Sequence, residues 1–341
     1  MFCFLYCFTV TIVLLLLDGL GDLFWWSALL NSLRYWLFLP LPLFLLEFLL
    51  TPRLTSFIWL GGLSVYWAWC YTPLGYGDAQ SLGCKPNIYG EPALAKQLKL
   101  MSFNVLGSNQ RLSKLSLLLD SVQPNLVCLQ EVTPIQARFF SQRFTYQTDS
   151  GRSPQNASPD VACYASSPLQ LLDRRRLAGG VFQLVSVQTA TEPIYIANLH
   201  TTSVPLSDLL SEDRLYVAST YQAQQALLEE LWAVLAANEV PLRQLIVLGD
   251  FNSTEGNALY RALEEHGLYD GLRLQRVVWP FGDFTFPRNL NAIREEHNRL
   301  LPLVRLDYIF VGERYCVRNY ETGSQETGSD HRPVIANLRF D

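Results

Sequence analysis

The chain has 341 residues, enough for one large domain or two ordinary ones, and is 49% hydrophobic with a formal net charge of −5. Such a balance argues against a protein that grips long nucleic acid through a basic surface. The apolar excess is uneven: before residue 72 the only charged residues are Arg34, Arg53, Asp18, Asp22 and Glu47, and the rest is mildly acidic and ordinary in composition.

The first element is apolar. Phe2–Leu17 is uncharged and is broken by Asp18-Gly-Leu-Gly-Asp22; a second apolar stretch runs from Leu23 to Leu50, its span placed at Tyr35–Leu50, and is broken by Thr51-Pro52-Arg53; Ser56–Tyr71 is a third. Their lengths lie at the short edge of the ~17–25 residues a helix needs to span a bilayer. Trp25, Trp26, Trp67 and Trp69 fit interfacial belts. The expectation is about three transmembrane helices over residues 1–72, hence a multi-pass membrane location with contact to membrane lipid. The Arg53 loop would face the cytoplasm and the remaining domain would lie outside it. Residues 73–97, rich in Gly and Pro, read as a linker, and residues 98–341 as one further domain.

In that domain short apolar runs alternate with amphipathic stretches. Helices are predicted over Gln110–Asp120 and Leu215–Asn238, and strands over Val161–Tyr164, Val181–Val187 and Ile194–Ala197. The pattern implies two packed mixed sheets flanked by helices, an α/β fold in four layers. Cys128 and Cys163 sit in apolar runs and are expected to be core thiols, whereas Cys84 and Cys316 are free to pair.

Six apolar runs carry polar residues at one end: Ser102-Phe103-Asn104, Gln130-Glu131, Asn198-Leu199-His200, Asp250-Phe251-Asn252, Arg305-Leu306-Asp307 and Ser329-Asp330-His331. A strand end is a rigid place from which to aim a side chain, so six of them can converge on one site. Carboxylates for a divalent metal, amides, and two histidines with a carboxylate partner suit metal-assisted hydrolysis of phosphate esters. Singly, Asn104 and Asn252 would be turn residues and Glu131 a solvated strand end. His266 and His297 have no such context.

The series SFNVLG, LQEV, NLH, GDFN, RLDYIF and GSDHRPV, in that order, resembles the endonuclease/exonuclease/phosphatase superfamily over residues 98–341. The resemblance implies the four-layer α/β sandwich and a metal-dependent phosphoric ester hydrolase. It implies Mg²⁺, with Mn²⁺ as an alternative, held by Asn104, Glu131 and Asp330. It implies catalytic roles for His200, Asp250, Asn252, Asp307 and His331: Asn252 on the phosphate, Asp250 or His331 as base, Asp307 fixing the His331 tautomer, and His200 at the leaving oxygen. Alternation would put Asp250 and Asn252 on the same side of an extended strand end. Phe284-Thr285-Phe286 would pack beside the site, while Arg305 and Arg332 would bind phosphate or form structural ion pairs. Asp160-Val161-Ala162 departs from a Gly-Val-Ala strand entry and leaves the loop Thr148–Pro159 unassigned. The leading substrate is a phosphodiester such as DNA. A phosphomonoester or lipid headgroup, including inositol phosphate, is the alternative, and a non-catalytic tethered binding module is the rival. No protein partner is expected.

Overall fold

A computed structural model describes residues 2–50, 54–76, 96–148, 160–189, 192–204, 214–278, 283–287 and 304–340. In chain order the elements begin with α1 (Phe2–Leu20), α2 (Trp25–Ser32), a 3₁₀ turn Arg34–Phe38, α3 (Leu41–Leu50) and α4 (Leu54–Tyr71). The first half of the sandwich follows: β1 (Lys96–Asn104), α5 (Leu112–Val122), β2 (Leu126–Val132), α6 (Pro134–Ser141), β3 (Tyr146–Gln147) and β4 (Asp160–Ala165). Then come β5 (Leu169–Leu177), β6 (Gly180–Val187), β7 (Ile194–Thr201), α7 (Arg214–Ala237), β8 (Leu245–Asp250), α8 (Ala258–Glu265), β9 (Tyr269–Asp270) and α9 (Gly271–Gln275). The chain closes with β10 (Asp307–Val311), β11 (Cys316–Thr322) and β12 (Val334–Phe340).

The strands form two six-stranded sheets, ordered β11-β12-β1-β2-β4-β3 and β5-β6-β7-β8-β10-β9. Each is mixed, with β1–β2 and β7–β8 the parallel pairs. The sheets face each other over a core containing Leu100, Cys128, Ile196, Leu248 and Ile309, and helices pack outside. Near-continuous apolar strands such as β8 follow from burial on both faces. This is the expected α/β sandwich. Observed elements overrun their predicted limits by a few residues; β7 continues through His200 and β2 through Glu131, so both residues lie inside strands.

The transmembrane expectation is overturned. Among the described residues no single helix is long and apolar enough to cross a membrane. The pair Phe4–Leu20 and Trp25–Ser32 passes by length and composition only together, across a bend of 118°. The second stretch is divided into α2, the 3₁₀ turn and α3, each short. Many of the apolar residues are used within the fold: Cys7, Val10, Leu14, Leu60 and Leu63 belong to the same buried cluster as the sheets. The multi-pass location therefore falls with the helices that were to supply it, and the lipid partner expected with it gains no support from the structure. The outer sides of α3 and α4 leave Leu43, Leu46, Leu50 and Leu54 exposed.

The N-terminal helices are latched to the sandwich by Asp22, which is 3% exposed. Its carboxylate accepts from Asn31 Nδ2 at 2.9 Å, Asn257 Nδ2 at 3.1 Å and the backbone N–H of Ala258 at 2.7 Å. Asn257, the N-cap residue of α8, makes no side-chain cap itself, so Asp22 supplies that cap from a distant part of the chain. Burial raises the Asp22 carboxyl above its ordinary range, and the three donors pull it back. Asp22→Ala removes a cap and takes one acceptor from each of two buried amides, which keep the Gly21 and Ala28 carbonyls. It is expected to lower the unfolding free energy by roughly 2–4 kcal/mol, read from the urea midpoint.

Cysteine pairing also differs from expectation. Cys128 and Cys163 face each other across β2 and β4 and form a disulfide instead of two thiols. Their apolar surroundings signalled burial, but the antiparallel register that brings the sulfurs together was not legible. The bond closes a sequence separation of 35 residues. Replacing both cysteines by serine is expected to cost about 2–4 kcal/mol in the same assay. Cys316 is disulfide-bonded as well, while Cys84, His297, the loop 149–159 and most of the predicted linker lie outside the described residues.

Candidate active site

The first sheet contributes Asn104 and Glu131 from the ends of two parallel strands, β1 and β2. The second contributes His200, Asp250 and Asp307 from one cross-strand row, since His200 pairs with Asp250 and Asp250 with Asp307. Directly paired residues share a sheet face, so this row points as a unit toward the first sheet. Gly249 makes the row possible. Its φ is 137°, and a Cβ there would lie 1.9 Å from the Leu199 carbonyl oxygen.

Asn104 ties the two sheets together. Its Nδ2 donates to Glu131 Oε1 and to Asp250 Oδ2, both at 2.9 Å, while its Oδ1 accepts from Leu106 N at 3.0 Å. Glu131 sits at a register shift in β2 with φ 58°, and the irregularity aims its carboxylate along the strand end. There Glu131 Oε2 accepts from Gly107 N at 3.0 Å. Asn252 also has a left-handed backbone, φ 43°. This turns it out of the extended alternation expected with Asp250. Its N–H donates back to Asp250 Oδ1 at 3.0 Å, and its Nδ2 donates to the Thr201 carbonyl at 2.9 Å.

His331 lies between two carboxylates. Nδ1 is 2.8 Å from Asp307 Oδ2, and Nε2 is 3.6 Å from Asp250 Oδ2. Burial alone would depress the imidazole, but Asp307 and Asp250 override it and push it up to about 10. Burial raises the Asp307 carboxyl, against the opposing pull of His331. Phe286 packs on the His331 ring with centroids 4.9 Å apart, as the sequence suggested. On another side His200 Nε2 stands 3.8 Å from Glu131 Oε1 and 3.9 Å from Asp250 Oδ2. Among the described residues, Asp330 Oδ1 is buried with no hydrogen-bond partner. Burial raises its carboxyl; Glu131 and Asp250 add to the rise, against His331. All eight predicted site residues thus gather where the strand ends of the two sheets meet.

Asp250, Asp307 and His331 bring three ligand-type atoms within 4.8 Å of one another. Both ring nitrogens of His331 face carboxylates, Nδ1 on Asp307 and Nε2 on Asp250, so the trio is one linked acid–base group. Glu131 and Asp330 offer oxygen donors of the kind a hard divalent cation takes, and one Asp330 carboxylate oxygen is buried without a hydrogen-bond partner among the described residues.

Other motif residues are structural. Asn198 donates to the Leu129 carbonyl at 3.0 Å and accepts from Gln130 Nε2 at 2.7 Å, joining the sheets behind the site. Ser329 Oγ donates to the Asn104 carbonyl at 2.7 Å and accepts from His331 N at 3.1 Å. Arg305 is buried against Glu255, Asp270 and the Tyr308 ring, which decides for the structural ion pair. His266 stacks on Trp232, and Arg332 lies over the Phe284 ring. Sequence reasoning missed the work of Thr285, whose Oγ1 accepts from Leu306 N at 2.9 Å and Asp307 N at 3.1 Å. Its place between two phenylalanines ahead of β10 was the available signal.

The fold recurs in solved structures. SmcL is 18% identical with a TM-score of 0.53, over 72% of this chain and 99% of its own. An endonuclease/exonuclease/phosphatase family protein of Bacteroides thetaiotaomicron is 16% identical with a TM-score of 0.50, over 72% and 99%. D. rerio TDP2, solved with a single-strand DNA product, is 17% identical with a TM-score of 0.50, over 71% and 99%. At these identities the likeness is one of fold. No curated protein matches the chain by sequence. The profile of the Endonuclease/Exonuclease/phosphatase family, whose members generally depend on a divalent metal, matches residues 101–331. The chain belongs to that family and is a phosphoric ester hydrolase.

Proposed function

We propose that this enzyme is a Mg²⁺-dependent phosphodiesterase in which water attacks phosphorus in line. One observation carries the reading: Asn104 holds Glu131 and Asp250 together, so the groups suited to a cation and to a water nucleophile occupy one rigid cluster. Glu131 and Asp330 would hold the cation, with Asn104 organising Glu131 from behind. Such a cation supplies positive charge to the phosphoryl oxygens.

The remaining steps belong to the chain's own side chains. Asp250, fixed through Oδ1 by Asn252 and through Oδ2 by Asn104, orients the attacking water and takes its proton. The carboxylates of Asp307 and Asp250 on either side of His331 favour its charged form; we assign Asp250 as base and the imidazolium as a stabiliser of charge on the non-bridging oxygens. Asp307 fixes the ring through Nδ1 and keeps Nε2 directed at the reacting group. His200, across the cluster, neutralises charge on the leaving oxygen. Asn252 directs its second amide hydrogen to the phosphate.

Supercoiled DNA, sphingomyelin and inositol polyphosphates, offered in parallel to the full chain with Mg²⁺, test the proposal. A single-strand DNA product in the D. rerio TDP2 structure makes nucleic acid one arm worth including. Preferential cleavage of a diester supports the reading. Release of inorganic phosphate from the monoesters alone refutes the diesterase assignment.

A further inference from the structure

β5 is the edge strand of the second sheet, and it carries three consecutive arginines, Arg174 to Arg176, in a chain of net charge −5. Their side chains divide between the two faces of the sheet. Arg174 Nη2 donates to Gln183 Oε1 at 2.9 Å, and Gln183 is buried between the sheets, its Nε2 3.3 Å from Cys163 Sγ of β4. Arg175 points the other way. Its Nε is 3.5 Å from Glu230 Oε1 on the outer helix α7, and its Nη2 is 2.9 Å from Asp173 Oδ2. Alternation along the strand therefore returns Arg176 to the inner face, with Arg174.

The register fixes its place on that face. Arg176 pairs with Val181, and Val181 with His200. Arg176 is thus the outermost member of the cross-strand row that continues through His200 to Asp250 and Asp307. Two strand spacings, about 10 Å, separate its backbone from that of His200. Val181 between them is buried, whereas Arg176 is exposed. The hairpin turn after Arg176 is locked to the end of β7. Thr202 donates through N to the Gly179 carbonyl at 2.9 Å and through Oγ1 to the Ala178 carbonyl at 2.8 Å. At Gly180, φ 133°, a Cβ would lie 2.3 Å from the His200 carbonyl oxygen. The guanidinium is therefore carried on backbone held rigidly beside His200.

With His200 on the leaving side of the phosphate, a leaving group runs along this row, over Val181, toward Arg176. A guanidinium is permanently charged and presents a planar fork of donors that matches phosphate oxygens. Resting on the phosphodiesterase reading above, we propose that Arg176 is a specificity-determining residue that binds a second phosphate on the leaving side of the substrate. That chemistry is offered by a nucleic-acid strand and by a polyphosphorylated ring. One arginine set at a fixed distance from the reacting centre selects for it without the basic surface that this acidic chain lacks.

The full chain with Mg²⁺ is assayed on the dinucleotides dTpdT, pdTpdT and dTpdTp at their internal diester, and on bis(p-nitrophenyl) phosphate, which has no second phosphate. The terminal phosphate on the leaving side should raise kcat/KM about tenfold or more over dTpdT. Arg176→Gln should abolish that gain and leave dTpdT and bis(p-nitrophenyl) phosphate turnover unchanged. On the favoured dinucleotide it should also make the slope of log kcat/KM against log salt shallower by ~0.7. Arg176→Lys should restore part of the gain, and Arg175→Gln, on the outer face, should change none of these rates. Inositol hexakisphosphate, added as a competitor, distinguishes the sources: inhibition that Arg176→Gln relieves, with no dinucleotide gain, assigns the second phosphate to a polyphosphorylated ring. Equal losses on every substrate, or no loss and no relief of inhibition, overturn the inference and leave the diesterase reading standing. A folded wild-type protein inert on bis(p-nitrophenyl) phosphate and on all three dinucleotides refutes that reading, and the inference with it.

Discussion

His331→Ala is expected to lower kcat by roughly 10³–10⁴-fold, with the fold intact and KM little changed. The substitution removes the buried cation between Asp307 and Asp250. Groups that stabilise transition-state charge or transfer protons are typically worth ~10²–10⁴-fold each. It also leaves Asp307 fully buried without its partner, so some loss of stability accompanies the loss of rate. A pH profile separates the two effects. The histidine's folded value, about 10, lies above its ordinary 6.5. Its stabilising contribution is therefore complete below about pH 6.5 and drains away as pH rises toward 10. Melting curves of metal-free protein between pH 6 and 10 should show this decline in the wild type and a flatter profile in the alanine variant. A kcat within tenfold of wild type would remove His331 from the mechanism.

Glu131→Gln is the second large effect. The substitution keeps the shape and one of the two accepted hydrogen bonds, from Gly107 or from Asn104, but removes the charge. The Mg²⁺ concentration for half-maximal activity is expected to rise by more than the ~10–100-fold typical of losing a mere outer-shell partner. Asp330→Asn should behave alike, because its buried oxygen, unpartnered among the described residues, is the other hard donor. A lowered maximal rate with unchanged Mg²⁺ dependence in both variants would place the cation elsewhere. Titration of activity against Mg²⁺ gives both quantities in one series.

Much of this site could be read from the chain because its polar residues interrupt apolar runs. Asn104, Glu131, His200, Asp250 and Asp307 stand out where a buried strand has no structural need of them, and their order fixed the fold class. Three features were not legible, each for a physical reason. Asn252 adopts a left-handed backbone that two-residue alternation cannot anticipate, and it binds Asp250 through its own N–H. The Cys128–Cys163 bond depends on the register of β2 against β4, which apolar pattern alone does not set. The N-terminal helices show the largest gap between pattern and outcome. An apolar helix that buries Leu14 and Leu63 against a neighbour has the same composition as one that meets lipid. Only partners such as Asp22 with Ala258, far apart in sequence, show where these helices sit.

The most direct test is hydrolysis of bis(p-nitrophenyl) phosphate by the full chain, first stripped with EDTA and then returned to Mg²⁺. The account predicts no turnover in the stripped enzyme, recovery on adding Mg²⁺, and no recovery in His331→Ala. Turnover that survives chelation, or a folded Mg²⁺-loaded protein inert toward this diester and the three natural classes, would contradict it.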